Sequence, residues 1–213
     1  MTPSTSSERS GALPRPTGDA PDPTSTPMTG LSFRERGSIR DRRALLEQVR
    51  ERLALGSGAR LLDLGGGTGH VTQLLAGPSG DAVVLEPNPR RVARGRAARP
   101  RIEFVEGVAE RIPFPDGRFD AVVSVRAFHH FADHRRALAE AHRVLRPGGR
   151  LVLNDFESDS ITGRWFRFLA RMTFQGRLHF PTAERLDGWL RSVGFVRTRR
   201  EVVGRYYLVT AEK

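Results

Sequence analysis

The 213-residue chain has no cysteine, which excludes disulfides, thiolate zinc sites and cysteine nucleophiles, and suits a reducing compartment. Lysine is nearly as scarce, since Lys213 is the sole example. No apolar run approaches the ~18 residues that a membrane-spanning helix needs. The N-terminal arginines are not followed by an apolar segment, so they do not read as a signal peptide. The expectation is a soluble, cytoplasmic protein with no stable membrane insertion. At this length it holds one sizeable core and not two.

The formal net charge is +11, and arginine carries almost all of it, as in "RRVARGRAARPR" (Arg90 to Arg101) and "RTRR" (Arg197 to Arg200). Arginine recognises phosphate and carboxylate through a planar fork. Its near-complete replacement of lysine, in a chain rich in Ala, Gly and Pro, is also what a GC-biased genome produces without selection for a partner. Nucleic acid is therefore not the favoured partner.

Residues 1 to 30 are dominated by Ser, Thr, Pro and Gly with little to bury; the expectation is a disordered tail followed by one domain over 31–213. From Asp41, Leu45, Val49 and Leu53 recur at helical spacing between arginines. Then come short, continuous apolar runs: Leu61 to Leu64, Ala82 to Glu86, Ile102 to Glu106, Ala121 to Val125 and Leu151 to Asp155. Runs without alternation suit strands buried on both faces, and helical stretches lie between most of them. The clearest helix has Asp133 as N-cap, places Ala137, Leu138, Ala141, Val144 and Leu145 on one face, and stops at Pro147 to Gly149. A helix from Thr182 to Val193 precedes two strand-like segments, Val196 to Val203 and Arg205 to Glu212, spaced for an antiparallel hairpin. The pattern predicts an α/β fold: a Rossmann-like, doubly wound, mostly parallel seven-stranded sheet closed by that hairpin.

The stretch "RLLDLGGGTGH" (Arg60 to His70) falls where the first parallel strand turns into its helix. That is the carboxyl edge of the sheet, where ligands bind in such folds. A side chain at Gly65 or Gly67 would keep a ligand away from the backbone. The spacing is G-x-G-x-G, through Gly65, Gly67 and Gly69, and not the G-x-G-x-x-G of dinucleotide sites.

With "VVLEPN" (Val83 to Asn88), "GVAERIPFPDGRFD" (Gly107 to Asp120), "FHHFAD" (Phe128 to Asp133) and "LRPGGRLVL" (Leu145 to Leu153) following in order, the chain from Asp41 to Lys213 resembles the class I S-adenosylmethionine-dependent methyltransferases. The likeness is to the ubiquinone/menaquinone-biosynthesis branch acting on small molecules. The resemblance implies S-adenosylmethionine as methyl donor; no metal is expected, since the sequence offers no cluster of ligands and "NDF" (Asn154 to Phe156) is too little to argue for magnesium. It implies that Asp63 and the turn Gly65, Gly66, Gly67 and Gly69 hold the methionine end, and that Glu86 takes the ribose diol. Val108 and Ala109 would lie beside adenine, Val108 standing where the family pattern has an aspartate. Ser124 to Arg126 would line the methionine moiety.

Methyl transfer from a sulfonium needs alignment in a dry pocket, and a base only where the acceptor must lose a proton. His129 and His130 are the candidate bases, because they follow the fourth strand and histidine titrates near neutrality; packing or helix-start hydrogen bonding is the other reading. Asp155 and Glu157 either bind the acceptor or are solvated strand ends. The segment Ile161 to Phe180 carries Trp165, Phe166, Phe168, Phe174 and Phe180 among arginines. It reads as the roof of an acceptor pocket, with Trp165 and Phe168 touching substrate. It also reads as a core helix with a solvated face, or as an interfacial helix on anionic lipid. The fourth strand ends in "SVRAFHH" and not the N/D-P-P-Y of exocyclic-amine methylation, and without cysteine the thiolate routes to cytosine-C5 or arsenite methylation are closed. The expected partner is a small, flat organic acceptor. An RNA methyltransferase and a non-catalytic scaffold remain the alternatives.

Overall fold

The apolar runs become strands because each has both faces covered. The computed structural model describes residues 39–77, 81–157 and 179–213. Strands β1 (Arg60–Leu64), β2 (Asp81–Glu86), β3 (Glu103–Glu106), β4 (Phe119–Val125) and β5 (Leu145–Phe156) pair in parallel. In β1 every residue after Arg60 is buried, the signature of a central strand between two helical layers. The closing hairpin, β6 (Val196–Val203) and β7 (Tyr206–Glu212), joins antiparallel, with β7 pairing to β5 and β6 left at the edge. Among the described residues the sheet order is β3-β2-β1-β4-β5-β7-β6.

Helices α1 (Ile39–Leu53), α2 (His70–Ala76) and α3 (Pro89–Ala98) cover one face. Val49, Leu53 and Leu75 pack there on Leu61, Ala82 and Val123, and Val92 of α3 packs on Val84 and Phe104. Helices α4 (His134–Val144) and α5 (Ala183–Ser192) cover the other, where Leu138, Ala141, Leu186 and Leu190 meet Leu62, Leu151, Leu153 and Val209. Burying one such leucine contributes ~1.5–3 kcal/mol, so the two layers together fix the strand order. Local caps set the helix starts: Asn88 accepts from the N–H groups of Arg90 and Arg91, with Pro89 at the first position, and Asp133 accepts from Arg136 N–H at 2.9 Å.

One boundary differs from the sequence reading. The helix capped by Asp133 ends at Val144, and Leu145 already belongs to β5, opposite Phe119. Pro147 to Gly149 thus lies inside the strand and does not mark its start. The register shifts between Phe119 and Ala121. Gly148 takes φ +72, and a Cβ on Gly149 would sit 2.8 Å from Arg146 O. Glycines let the chain pass through this irregularity without a clash.

Strand β1 lies between β2 and β4, with the chain winding outward to β3 on one side and to β5 on the other. The carboxyl end of β1 is therefore the topological switch point, where the crevice opens. The turn after β1, the end of β2 and the exit of β4 all converge there.

Candidate active site

The glycine turn follows β1, with Gly65, Gly67 and Gly69 at φ +74, +60 and +76. Space, however, distinguishes them. A Cβ on Gly65 would lie 2.6 Å from Ala127 Cβ, one on Gly66 2.7 Å from Asp63 Oδ2, and one on Gly69 2.7 Å from the Phe104 ring. Only at Gly67 among the four does no atom of the described residues stand within 4 Å. The expectation that a side chain at Gly65 would obstruct a ligand is corrected accordingly: the protein's own β4 exit occupies that position. Gly67 is the glycine with open space in front of it.

Two buried carboxylates hold the turn from below. Asp63 is 2 % exposed, and its Oδ2 accepts the Thr72 hydroxyl at 2.6 Å, tying β1 to the first turn of α2. Burial, together with the nearby Glu86, pushes its pKa up to about 6 against the lowering effect of the Thr72 bond. Glu86, also 2 % exposed, accepts Gly67 N–H at 3.0 Å on Oε2 and Asn88 N–H at 3.1 Å on Oε1. Arg91 Nη1 stands 3.6 Å from the same Oε1. Glu86 is thus neither solvated nor idle: each oxygen has one backbone donor and keeps further lone-pair capacity.

Beyond β3, Val108 is exposed and Ala109 buried. Gly107 N–H donates to Glu86 O, which fixes this segment beside the end of β2. At the exit of β4 the Ser124 hydroxyl donates to Leu64 O at 3.1 Å, joining the two central strands from within. Arg126 takes φ +54, and its N–H donates to Asn154 O at 2.7 Å. A non-glycine residue in the left-handed region turns the chain sharply at the point where it leaves the sheet.

That turn delivers His129 onto Asp155. His129 lies in a short 3₁₀ segment, Phe128–His130, with Nδ1 at 2.8 and 2.9 Å from Oδ1 and Oδ2 of Asp155. Its backbone N–H also donates to Oδ2, and Phe156 N–H donates to Oδ1. Asp155 is 1 % exposed, so it is no solvated strand end. The carboxylate assigns the proton to Nδ1 and leaves the lone pair on Nε2. His130 is exposed beside it, with ring centroids 4.0 Å apart. Partial desolvation, then the neighbouring His129 and more weakly Arg91, push the His130 pKa down to about 4.

Aromatic rings crowd the dyad. Phe180 stacks on the His129 imidazole at 5.1 Å and 12°, Phe156 meets its edge at 5.6 Å, and Tyr206 lies against Phe156. His179 N–H donates to His129 O. Of the proposed roof, Trp165 and Phe168 lie outside the described residues, as does the rest of 158–178. Sequence reasoning missed Thr72, Arg91 and Tyr207. Tyr207 stands opposite Asp155 across β5 and β7, buried with its hydroxyl unpartnered among the described residues. A tyrosine in a terminal hairpin carries no local signal of that placement. Glu157, the other acid named from the sequence, is buried and paired with Arg200.

A glycine turn backed by two carboxylates, at the switch point of this sheet, defines an α/β protein of the methyltransferase fold. Residues 62–153 match the family model described as a methyltransferase domain. The chain is 41% identical over 109 residues to a ubiquinone/menaquinone biosynthesis C-methyltransferase of Hahella chejuensis, covering 47% of this chain and 44% of that protein. It is 43% identical over 103 residues to a demethylmenaquinone methyltransferase of Thermus thermophilus, covering 46% and 47%. The chain thus spans about half the length of the curated relatives it matches. The crystal structure of the YcgJ protein of Bacillus subtilis shares the fold, with TM-score 0.69 and 18% identity over 80% of this chain and 98% of that one. The same fold is seen in the crystal structure of an S-adenosylmethionine dependent methyltransferase of Mesorhizobium loti, with TM-score 0.68 and 21% identity over 78% of this chain and 96% of that one. Among the described residues no cluster of His, Cys, Asp or Glu could hold a metal ion, and no helix is long and apolar enough to cross a membrane.

Proposed function

We propose that the protein transfers the methyl group of S-adenosylmethionine to a small hydroxylated aromatic acceptor of the quinol type, with His129 as general base. The observation that carries this is the His129–Asp155 pair, set two residues beyond Ala127, the residue against which Gly65 packs. The residues present fit the cofactor. The open position before Gly67 admits a ligand to the backbone, and Glu86 supplies acceptor-only oxygens suited to a ribose diol. Val108 offers an exposed apolar surface beside the end of β2, suited to one face of adenine. Asp63, bound to Thr72, supports the turn from behind.

The bound cofactor supplies an electrophilic methyl on a sulfonium. The chain supplies position and proton management. His129 Nε2 accepts the proton of the acceptor hydroxyl, which raises electron density on the oxygen and on the ring carbons conjugated with it. Asp155 keeps the imidazole in the tautomer that can accept and stabilises the imidazolium that results. Phe180, Phe156 and Tyr206 give a flat ring apolar surfaces beside the base and exclude water. The names of the relatives, quinone-biosynthesis methyltransferases, support the same acceptor class. The working unit is residues 31–213, with the 1–30 tail outside it.

The test is turnover of a 1,4-dihydroxynaphthalene with S-adenosylmethionine, read as a mass gain of one methylene. Wild-type protein is expected to methylate it and His129→Ala to lose most of that activity. A folded protein that binds the cofactor and methylates no hydroxylated aromatic sinks the reading.

A further inference from the structure

Away from the dyad, α3 and the loop after it present charge of one sign. Pro89 to Arg101 holds six arginines and no acid. Arg90, Arg91, Arg94, Arg96 and Arg101 are exposed, while Val92 and Gly95 face inward. Of the nearby carboxylates, Glu86 is taken by Arg91 at 3.6 Å and Glu103 by Arg118 at 3.6 Å. Arg94 and Arg101 have no carboxylate partner among the described residues.

Beside the C-terminal end of α3 the surface becomes apolar. Arg99 ties the two helices together, with Nε donating to Gln73 Oε1 at 3.1 Å and Nη1 to Thr68 O at 2.9 Å. Next to Gln73, Leu74 is 49 % exposed. It lines an open groove of about 590 Å³ together with Ala98, Pro100, Ile102, Arg50 and Arg101. A leucine left in water beside unneutralised guanidinium groups is the pairing that an anionic interface matches: phosphates take the arginines and the acyl boundary takes the leucine.

We propose that this face docks on an anionic phospholipid surface, with Arg94 and Arg101 against headgroup phosphates and Leu74 in the headgroup–acyl boundary. Single-stranded nucleic acid is the weaker match, because Pro89 to Arg101 has no aromatic residue on which bases could stack. The inference rests on α3 and the groove, and is independent of whether His129 is a base.

The experiment is co-sedimentation of the full chain with phosphatidylcholine vesicles, with and without phosphatidylglycerol. Binding is expected only where phosphatidylglycerol is present, and is expected to weaken as salt rises. Each arginine neutralised near such a surface costs about fivefold in partitioning, so Arg94→Gln with Arg101→Gln should lose roughly 25-fold. Leu74→Ser should weaken binding and leave its salt dependence unchanged. Equal binding to neutral vesicles overturns the proposal, as does a double variant that sediments like wild type. So does capture of an RNA oligonucleotide, dependent on the same arginines, by a protein that ignores vesicles. Because no turnover is measured, failure here is separate from failure of the methyl-transfer reading.

Discussion

His129 and Asp155 are 26 residues apart in the chain, and the fold sets Nδ1 of the one 2.8 Å from Oδ1 of the other. The contact forms where β4 and β5, parallel neighbours, end at the same edge. Asp155 receives the ring N–H, the backbone N–H of His129 and the N–H of Phe156, so its orientation is set from three directions. A carboxylate this constrained holds an imidazole in one tautomer, which a lone histidine in a loop does not achieve.

Replacing His129 with alanine is expected to lower kcat by about 10²–10⁴-fold, the usual worth of a general base. Asp155→Asn should cost roughly 10²-fold, leave cofactor affinity intact, and alter the acid limb of the pH–rate profile, which steady-state kinetics across pH would show. His130→Ala is expected to keep most of the activity, since the pKa of His130, near 4, leaves it a weak base. Activity lost in His130→Ala and kept in His129→Ala would reverse the assignment.

Glu86→Ala removes two anionic acceptor oxygens and releases Gly67 N–H, Asn88 N–H and Arg91 together. Hydrogen bonds to charged groups contribute ~1.5–3 kcal/mol each. The dissociation constant for S-adenosylhomocysteine, measured by calorimetry, should rise at least about tenfold. Glu86→Gln, which still accepts, should fall between.

The two adjacent glycines should fail differently. In Gly66→Ala the new Cβ meets Asp63 Oδ2 at 2.7 Å, and the Thr72 bond keeps that carboxyl from moving aside. Overpacking of this kind costs ~1–3 kcal/mol, so the melting temperature should fall. In Gly67→Ala the Cβ enters open space, and the cost to stability is the left-handed φ, ~1–2 kcal/mol. Gly67→Ala is therefore expected to fold and to weaken cofactor binding out of proportion to its loss of stability. Calorimetric titration beside thermal melting of both variants separates the two effects.

Asp63 and His134 respond to pH in opposite directions. Burial and the proximity of Glu86 raise Asp63 from 3.8 to about 6. The native state then holds its proton more tightly than the unfolded chain, and stability falls as pH rises from about 4 to 6. His134 is buried against Phe128 and Trp189 and lowered from 6.5 to about 4, chiefly by desolvation. Its contribution is present above pH 6.5 and is lost as pH falls toward 4. Asp63→Asn should therefore make stability fall more steeply on acidification, by an amount on the order of 3 kcal/mol across the window. His134→Phe should flatten or invert the slope. Urea unfolding at several pH values reads both, and unchanged slopes would remove these groups from the account.

Much of this protein was written locally. Uninterrupted apolar runs require strands covered on both faces, Asp133 and Asn88 announce helix starts, and three glycines at alternate positions mark a turn that side chains cannot make. Those features depend on residues a few positions apart, so the chain order alone determines them. Leu145 was misread because its apolar spacing continues the helix, while the pairing with Phe119 that claims it for β5 comes from 26 residues upstream. The same limit governs the site. Gly65 is glycine because Ala127 lies against it, Gly66 because Asp63 does, and neither neighbour is visible in the turn itself. Asp155 read as an isolated acid, and Tyr207 carried no signal, until the sheet put them opposite each other beside His129. Sequence determined which residues form strands and turns, because propensity and periodicity act over one element. The tertiary structure alone decided which carboxylate meets which imidazole, because that depends on two strands ending at one edge.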